Sequence, residues 1–252
     1  MGKTHVVFSD AHSHPAHNND RAGWLGRLIL DLKPDTVINL GDLGDMPSLS
    51  SYDKGTKGFQ GRTYKRDIES VLDFQERLWH PIKEAKKKMP RVVHFIGNHE
   101  HRISRAVSLQ SELDGTIGLD DLGLPKHSTL VDYDGLYPGT LDIDGVCYSH
   151  FLVSGVMGRP IGGERHASTL VTKKLGSCTV GHTHIFDFHL RPRADGTKAQ
   201  ALVMPAFIDY ECDWAGQSGK MWSKGLVIKR NVEDGMYDME YVSMERLKKI
   251  YG

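Results

Sequence analysis

Short apolar runs, each ending on polar residues, dominate the first 100 positions. His5-Val6-Val7-Phe8 runs into Ser9-Asp10, Thr36-Val37-Ile38-Asn39-Leu40 into Gly41-Asp42, and Val92-Val93-His94-Phe95-Ile96 into Gly97-Asn98-His99-Glu100. Runs of this length closed by Gly or Asp fit buried strands. Between them the period becomes helical. Leu25, Leu28, Ile29 and Leu32 recur at helix spacing until Pro34, and Ile68, Val71, Leu72, Gln75, Trp79 and Ile82 mark one face of a longer helix bent near Pro81. Strand and helix in alternation predict a parallel sheet with crossover helices. Residues 48–63 are polar and Gly-rich and predict a long loop, of a length at which loops often carry function.

From about residue 140 the pattern shortens. Strands are predicted over 140–149, 177–180, 185–190, 199–204 and 225–230, with a helix over 164–174 between them. Residues 232–244 predict a hairpin turning at Glu233-Asp234-Gly235. The tail from 214 to 252 is expected to complete a second sheet and to offer an oligomer surface. No repeat or linker interrupts the sequence, so a single domain over residues 1–252 is expected.

Composition narrows the function classes. Lys+Arg and Asp+Glu balance at 32 each, which argues against attachment to nucleic acid or membrane by long-range attraction. Lys86-Lys87-Lys88 is the one obvious basic run. Cys147, Cys178 and Cys212 are far apart and odd in number, so neither a disulfide framework nor a thiolate zinc site is indicated. Met1-Gly2-Lys3-Thr4-His5 leads straight into a strand pattern without a signal peptide, Val6 breaks a myristoylation motif, and no apolar run reaches membrane-spanning length. A cytoplasmic protein is expected.

The 14 histidines are the unusual feature. Asp10-x-His12, Asp42 and Asn98-His99 follow the first three strands, and His150 and His182-x-His184 follow strands of the second half. Ligands of open α/β sheets bind beyond the carboxyl ends of strands. One such residue is ordinarily a cap or a satisfied polar group. Five clusters in register point to a site for two divalent metal ions. A donor set of His, Asp and Asn without thiolate suits Mn, Fe, Zn, Ni or Co.

The series Asp10-x-His12, Gly41-Asp42-x-x-Asp45, Gly97-Asn98-His99-Glu100, His150, Gly181-His182-x-His184 resembles the calcineurin-like metallophosphoesterase family, in its stand-alone bacterial and phage form. Order and approximate spacing match over residues 10–184, about two thirds of the chain. The resemblance implies an α/β fold, a four-layer αββα sandwich of two mixed β-sheets flanked by helices. It implies Asp10, His12 and His184 on a first metal, Asp42 bridging, and Asn98, His150 and His182 on a second, with manganese foremost among the candidate ions. It further implies hydrolysis of a phosphomonoester or phosphodiester, a small phosphate ester or nucleotide, by a metal-bridging hydroxide with His99 as general acid oriented by Asp45. Two phosphate-clamping arginines of the phosphoprotein phosphatase branch are missing, since Met46 and Ile96 stand at their positions. Arg102, Arg159 and Arg165 are candidate substitutes. His14 and His17 are candidate pocket-lining or surface residues, and His94 reads as core. The alternatives are a nuclease acting on DNA or RNA with the same site, and a non-catalytic scaffold of the same fold.

Overall fold

The apolar runs become parallel neighbours in the computed structural model, which describes residues 2–212 and 215–252. Met1 and Trp214, named in the sequence reading, lie outside the described residues. β1 (Lys3–Phe8), β2 (Thr36–Asn39), β3 (Arg91–Phe95) and β4 (Thr129–Val131) pair in parallel in that order. The crossovers are α1 (Asp20–Leu32), α2 (Tyr64–Glu84) and α3 (His101–Leu109). Lys33, in a left-handed conformation, ends α1 by donating its N–H to the Ile29 carbonyl, and Pro34 then blocks continuation. Thr63 caps α2 by accepting from the Arg66 N–H, and Pro81 sits within that helix. Gly26 of α1 lies so close to the Leu78 carbonyl of α2 that a Cβ would collide with it.

The second half opens with the pair β5 (Tyr133–Asp134) and β6 (Tyr137–Pro138), then β7 (Leu141–Ile143), β8 (Val146–Ser149) and the pair β9 (Val153–Ser154) and β10 (Arg159–Pro160). α4 (His166–Lys174), β11 (Cys178–Val180), β12 (Asp187–Pro192), β13 (Lys198–Val203) and the single turn α5 (Gly216–Gly219) follow. The chain finishes with β14 (Gly225–Glu233), β15 (Met236–Ser243) and α6 (Met244–Tyr251). One sheet has the order β15-β14-β1-β2-β3-β4 and the other β12-β13-β11-β8-β7. Both mix parallel and antiparallel pairs.

Side-chain alternation assigns the layers. In β1, Val6 and Phe8 face α1 and α2, where Leu25, Leu28, Phe74 and Leu78 complete the packing, whereas Val7 faces the other sheet. Ile38, Val93 and Phe95 meet Ile143, Val146, Tyr148 and Leu202 between the sheets. Beneath the second sheet, Cys178, Val180 and Ala201 pack on Ala167, Leu170 and Val171 of α4. The result is the four-layer αββα sandwich. No helix among the described residues is long and apolar enough to cross a membrane.

Two expectations need correction. The tail completes the first sheet, not the second: β14 pairs antiparallel with β1, and β15 lies outside it. It is held there because Leu226 and Ile228 enter the helix-side core with Leu247 of α6, while Val227 points between the sheets. Leu72 is not on the buried face of α2. It is 42% exposed, and Phe74 and Leu78 take its place beside Val71, Trp79 and Ile82.

Candidate metal centre

The parallel register brings the strand exits to one edge. Phe8, Asn39 and His94 are aligned across β1, β2 and β3, so the residues that follow emerge together. Asp10 N donates to the Gly41 carbonyl (2.9 Å) and His12 N to the Asp42 carbonyl (2.9 Å), which carries the pairing beyond the strands. There the backbone turns sharply. Asp10 (φ 53°), His12 (42°), Asp42 (52°), His182 (70°) and His184 (60°) all adopt the left-handed region. Such conformations cost about 1–2 kcal/mol per non-glycine residue and gather at functional sites.

These turns converge their side chains. Asp10, His12 and His184 place one ligand-capable atom each within 4.8 Å of one another, and Asp42, His150 and His182 do the same. Asp42 also forms such a group with His12 and His99, so its carboxylate reaches both halves. Asn98 joins the second group through Oδ1, 3.0 Å from His150 Nε2. All seven candidate ligands are thus brought together.

The donor geometry tests whether cations fit. His150 Nδ1–H donates to the Leu40 carbonyl (2.9 Å), which turns Nε2 toward Asn98 Oδ1 (3.0 Å) and Asp42 Oδ2 (3.4 Å). His12 Nδ1–H donates to Asp45 Oδ1 (3.2 Å), which turns its Nε2 lone pair toward His184 Nε2 at 3.2 Å, itself 3.2 Å from Asp10 Oδ1. So many oxygens and ring nitrogens at these distances need positive charge among them, as protons or as a metal cation. Titration behaviour agrees. Burial would lower the His150 pKa, but Asp42 and Asp10 push it up to about 9. Burial would likewise raise Asp42, yet His150 and His99 hold it well below the usual carboxylate range. The cluster therefore fits divalent cations.

His99 lies apart from the two triads. Its Nδ1–H donates to the Asp45 carbonyl (2.7 Å), with Asp45 Oδ1 at 3.1 Å, so Nε2 faces the site, 3.9 Å from Asp42 Oδ2. Burial opposes its protonation, but Asp42 and Asp45 prevail and its pKa is raised. Asp45 serves His12 as well as His99, a sharing the sequence did not reveal. Arg102 reaches back from α3, donating Nη1–H to the Asp45 carbonyl (2.8 Å), with Nη2 3.2 Å from His99 Nε2. Arg159, on β10, and Arg165, before α4, are exposed, and among the described residues neither contacts the centre. His14 Nε2 lies 3.9 Å from Asp45 Oδ2, His17 stacks on Tyr210 (ring centroids 3.8 Å apart), and His94 is buried in β3.

Supporting residues went unassigned in the sequence. Glu100 accepts from the N–H groups of Asp42 (2.9 Å), Gly44 (2.8 Å) and Gly97 (2.9 Å), clamping two strand exits, and its position in the Gly-Asn-His-Glu run was the available signal. Arg21 is fully buried and donates to the carbonyls of Ala11 (2.7 Å) and Phe207 (3.0 Å), fixing the turn between Asp10 and His12. A Cβ on Gly181 would collide with Ser9 Oγ and press on Asp10 Oδ2. Gly181→Ala is therefore expected to weaken Mn²⁺ binding roughly 10–100-fold, the range for disturbed ligand support, in calorimetric titration of the metal-stripped protein. Unchanged affinity would remove Asp10 from the ligand set.

No protein-family model matches the chain. The Gene 54 protein of Mycobacterium phage L5 is 34% identical over 102 residues, which are 40% of this chain and 38% of that protein's length. Among solved structures the chain is similar to a dimetal phosphatase from Danio rerio (TM-score 0.44, 11% identity, 96% of each chain covered). It is also similar to the Pseudomonas putida nuclease MPE (TM-score 0.37, 14% identity, 94% of this chain and 87% of that one). Likenesses this distant say nothing about what the chain does. The four-layer fold itself agrees with the resemblance to the calcineurin-like metallophosphoesterases.

Proposed function

We propose that the chain hydrolyses phosphate esters with two divalent metal ions held between the strand exits. The observation that carries this reading is the paired convergence of Asp10, His12 and His184 with Asp42, His150 and His182, Asp42 reaching both. Two such ions supply Lewis-acid charge for the phosphoryl group and for the attacking water. Asp10, His12 and His184 would hold one, Asn98, His150 and His182 the other, and Asp42 both. Manganese is the first candidate, with Fe, Ni, Zn and Co also suited to these donors.

The chain's own groups do the rest. The attacking water enters as hydroxide, its proton lost to solvent, and as its oxygen bonds to phosphorus and the ester P–O bond breaks, the leaving oxygen needs a proton. His99 supplies it from Nε2, held in place by Asp45 at Nδ1. Arg102 Nη2, beside that nitrogen, binds a phosphoryl oxygen by a charge-assisted hydrogen bond. Lys86, Lys87 and Lys88 lie between α2 and the start of β3, at the opposite end of the sheet, so they offer no groove at this site for a nucleic-acid strand.

The test is hydrolysis of p-nitrophenyl phosphate and bis(p-nitrophenyl) phosphate by metal-stripped protein, with Mn²⁺, Ni²⁺, Zn²⁺ or Mg²⁺ returned singly. Metal-dependent turnover supports the reading, and two bound ions without turnover toward either ester would sink it. His99→Ala is expected to keep its metal content and lose roughly 10²–10⁴ in kcat, the usual worth of a positioned acid. Loss of the metals instead would make His99 a ligand.

A further inference from the structure

A second recess adjoins the centre. It is a cleft of about 540 Å³ lined by Asp209, Trp222, Ser223, Lys224, Tyr241 and Lys248, together with Glu245. That is within the volume range of small-molecule sites. Trp222 is the shared wall: its ring stands edge-on to His184, with centroids 4.2 Å apart and an interplanar angle of 87°. The next residue is tied to the same ligand, since Ser223 N donates to the His184 carbonyl (2.9 Å). The floor is rigid as well. Tyr241 donates its hydroxyl to the Lys224 carbonyl (2.8 Å) and stacks on Phe186 at 4.6 Å. Lys224 in turn donates to the Tyr210 carbonyl (2.8 Å), and the Tyr210 hydroxyl donates to the carbonyl of His12 (2.6 Å). Both walls are therefore anchored to metal-binding turns.

The charge of the cleft decides what it takes. Lys224 pairs with Glu211 and Asp209 with the buried Arg21 (3.3 Å), and Glu245 offsets Lys248, so the lining is balanced and does not select a second phosphate. Two aromatic rings beside hydroxyl and carboxylate groups suit a neutral, planar, hydrogen-bonding group. A larger cleft of about 590 Å³, between Lys33, Asp35, Lys88 and Arg91, opens at the amino ends of β2 and β3, the wrong end of the sheet for this chemistry. Resting on the phosphoesterase reading, we infer that the Trp222–Tyr241 cleft is a nucleoside subsite, and that the substrate is a nucleotide ester whose base lies there while its phosphate lies at the metal centre.

The Mn²⁺-loaded protein is assayed with thymidine 5′-(p-nitrophenyl phosphate) and with methyl p-nitrophenyl phosphate, which release the same leaving group. A kcat/KM at least about fivefold higher for the thymidine ester is expected, the lower end of what stacking one base contributes. Trp222→Ala and Tyr241→Leu should each remove most of that preference through KM, and Trp222→Phe should restore it. Calorimetric titration with thymidine 5′-monophosphate and ribose 5-phosphate reads the same preference without turnover. Equal affinities for these two, or a preference that survives both Trp222→Ala and Tyr241→Leu, overturn the subsite. A binding preference for the nucleotide with neither ester hydrolysed would instead overturn the hydrolytic reading and leave the subsite standing.

Discussion

Asp42→Asn is expected to lower metal content to at most one ion per chain and to cut turnover by roughly three orders of magnitude or more. The magnitude follows from charge. An ion acting as a Lewis acid contributes several kcal/mol to the transition state, and each 1.4 kcal/mol is about a factor of ten. Among the described residues Asp42 is the one carboxylate placed to serve both triads, so its neutralisation weakens both. The substitution is a clean probe because shape is preserved. The side-chain oxygen can still accept from the His99 N–H, now at 2.9 Å, while the 3.4 Å contact with His150 Nε2 loses its charge. Removing this buried charge also relieves Glu100, whose pKa burial and Asp42 together push up to about 7. It also takes away the carboxylate that pairs with His150 and His99, so without metal the variant should melt below the parent protein. Mass-spectrometric metal analysis, a thermal melt in chelator and turnover on bis(p-nitrophenyl) phosphate check the three parts. A variant that retains two ions and turnover within tenfold of the parent would show that Asp42 does not bridge.

The sequence exposed the centre because its ligands follow strands that local pattern reveals. Val6-Val7-Phe8 and Val37-Ile38 are buried on both faces, so they read as continuous apolar runs whose ends are easy to place. Asp10, Asp42 and Asn98 stand immediately beyond such ends, and His150 and His182 do so in the second half. What stayed hidden depends on distant partners. Nothing within residues 225–243 says that their strands extend β1 and not β13; that choice is made by α6, whose Leu247 closes the helix-side core over β14. The Leu72 error has a local cause. Val71 and Leu72 are adjacent and both apolar, but a 100° step per residue turns Leu72 to solvent while Val71, Phe74 and Leu78 turn in. β4 and α3, in the stretch between residues 101 and 139, show too little periodicity to be predicted. Arg21 carries no local signal, because its carbonyl partners at Ala11 and Phe207 are brought to it only by the fold.

Lowering the pH from about 10 to about 8 is expected to destabilise the protein relative to its Lys229→Met variant. Lys229 lies on the inter-sheet face of β14 with no exposed surface. Its Nζ donates to the hydroxyls of Thr179 and Tyr148 and lies over the rings of Tyr148 (4.5 Å) and Tyr237 (4.1 Å). The polar chain continues without a second cation: Tyr148 O–H donates to His5 Nδ1 (2.9 Å), and His5 Nε2–H donates to Asp144 Oδ2 (2.8 Å). Among the described residues no carboxylate contacts this nitrogen, and burial drives its pKa well below the ordinary 10.5. In the window between the folded value and 10.5 the unfolded chain binds one more proton than the native one, so stability rises with pH and falls as pH is lowered. One proton corresponds to about 1.4 kcal/mol per pH unit. His5, its pKa lowered mainly by burial, adds a slope of the same sign below 6.5. Groups whose pKa is raised act in the opposite sense: His150 below about 9, the buried thiols Cys147 and Cys178 above 9, and Tyr148 and Tyr237 above 10, so the difference in slope between parent and variant is what reads Lys229. Lys229→Met keeps the length of the side chain and its contact with the two rings, while Tyr148 and Thr179 each lose a hydrogen bond worth about 1 kcal/mol. Urea denaturation in chelator at half-unit pH steps measures the slopes. Parallel slopes for parent and variant would mean that Lys229 keeps its proton on folding, and that the space between the sheets tolerates a buried ammonium.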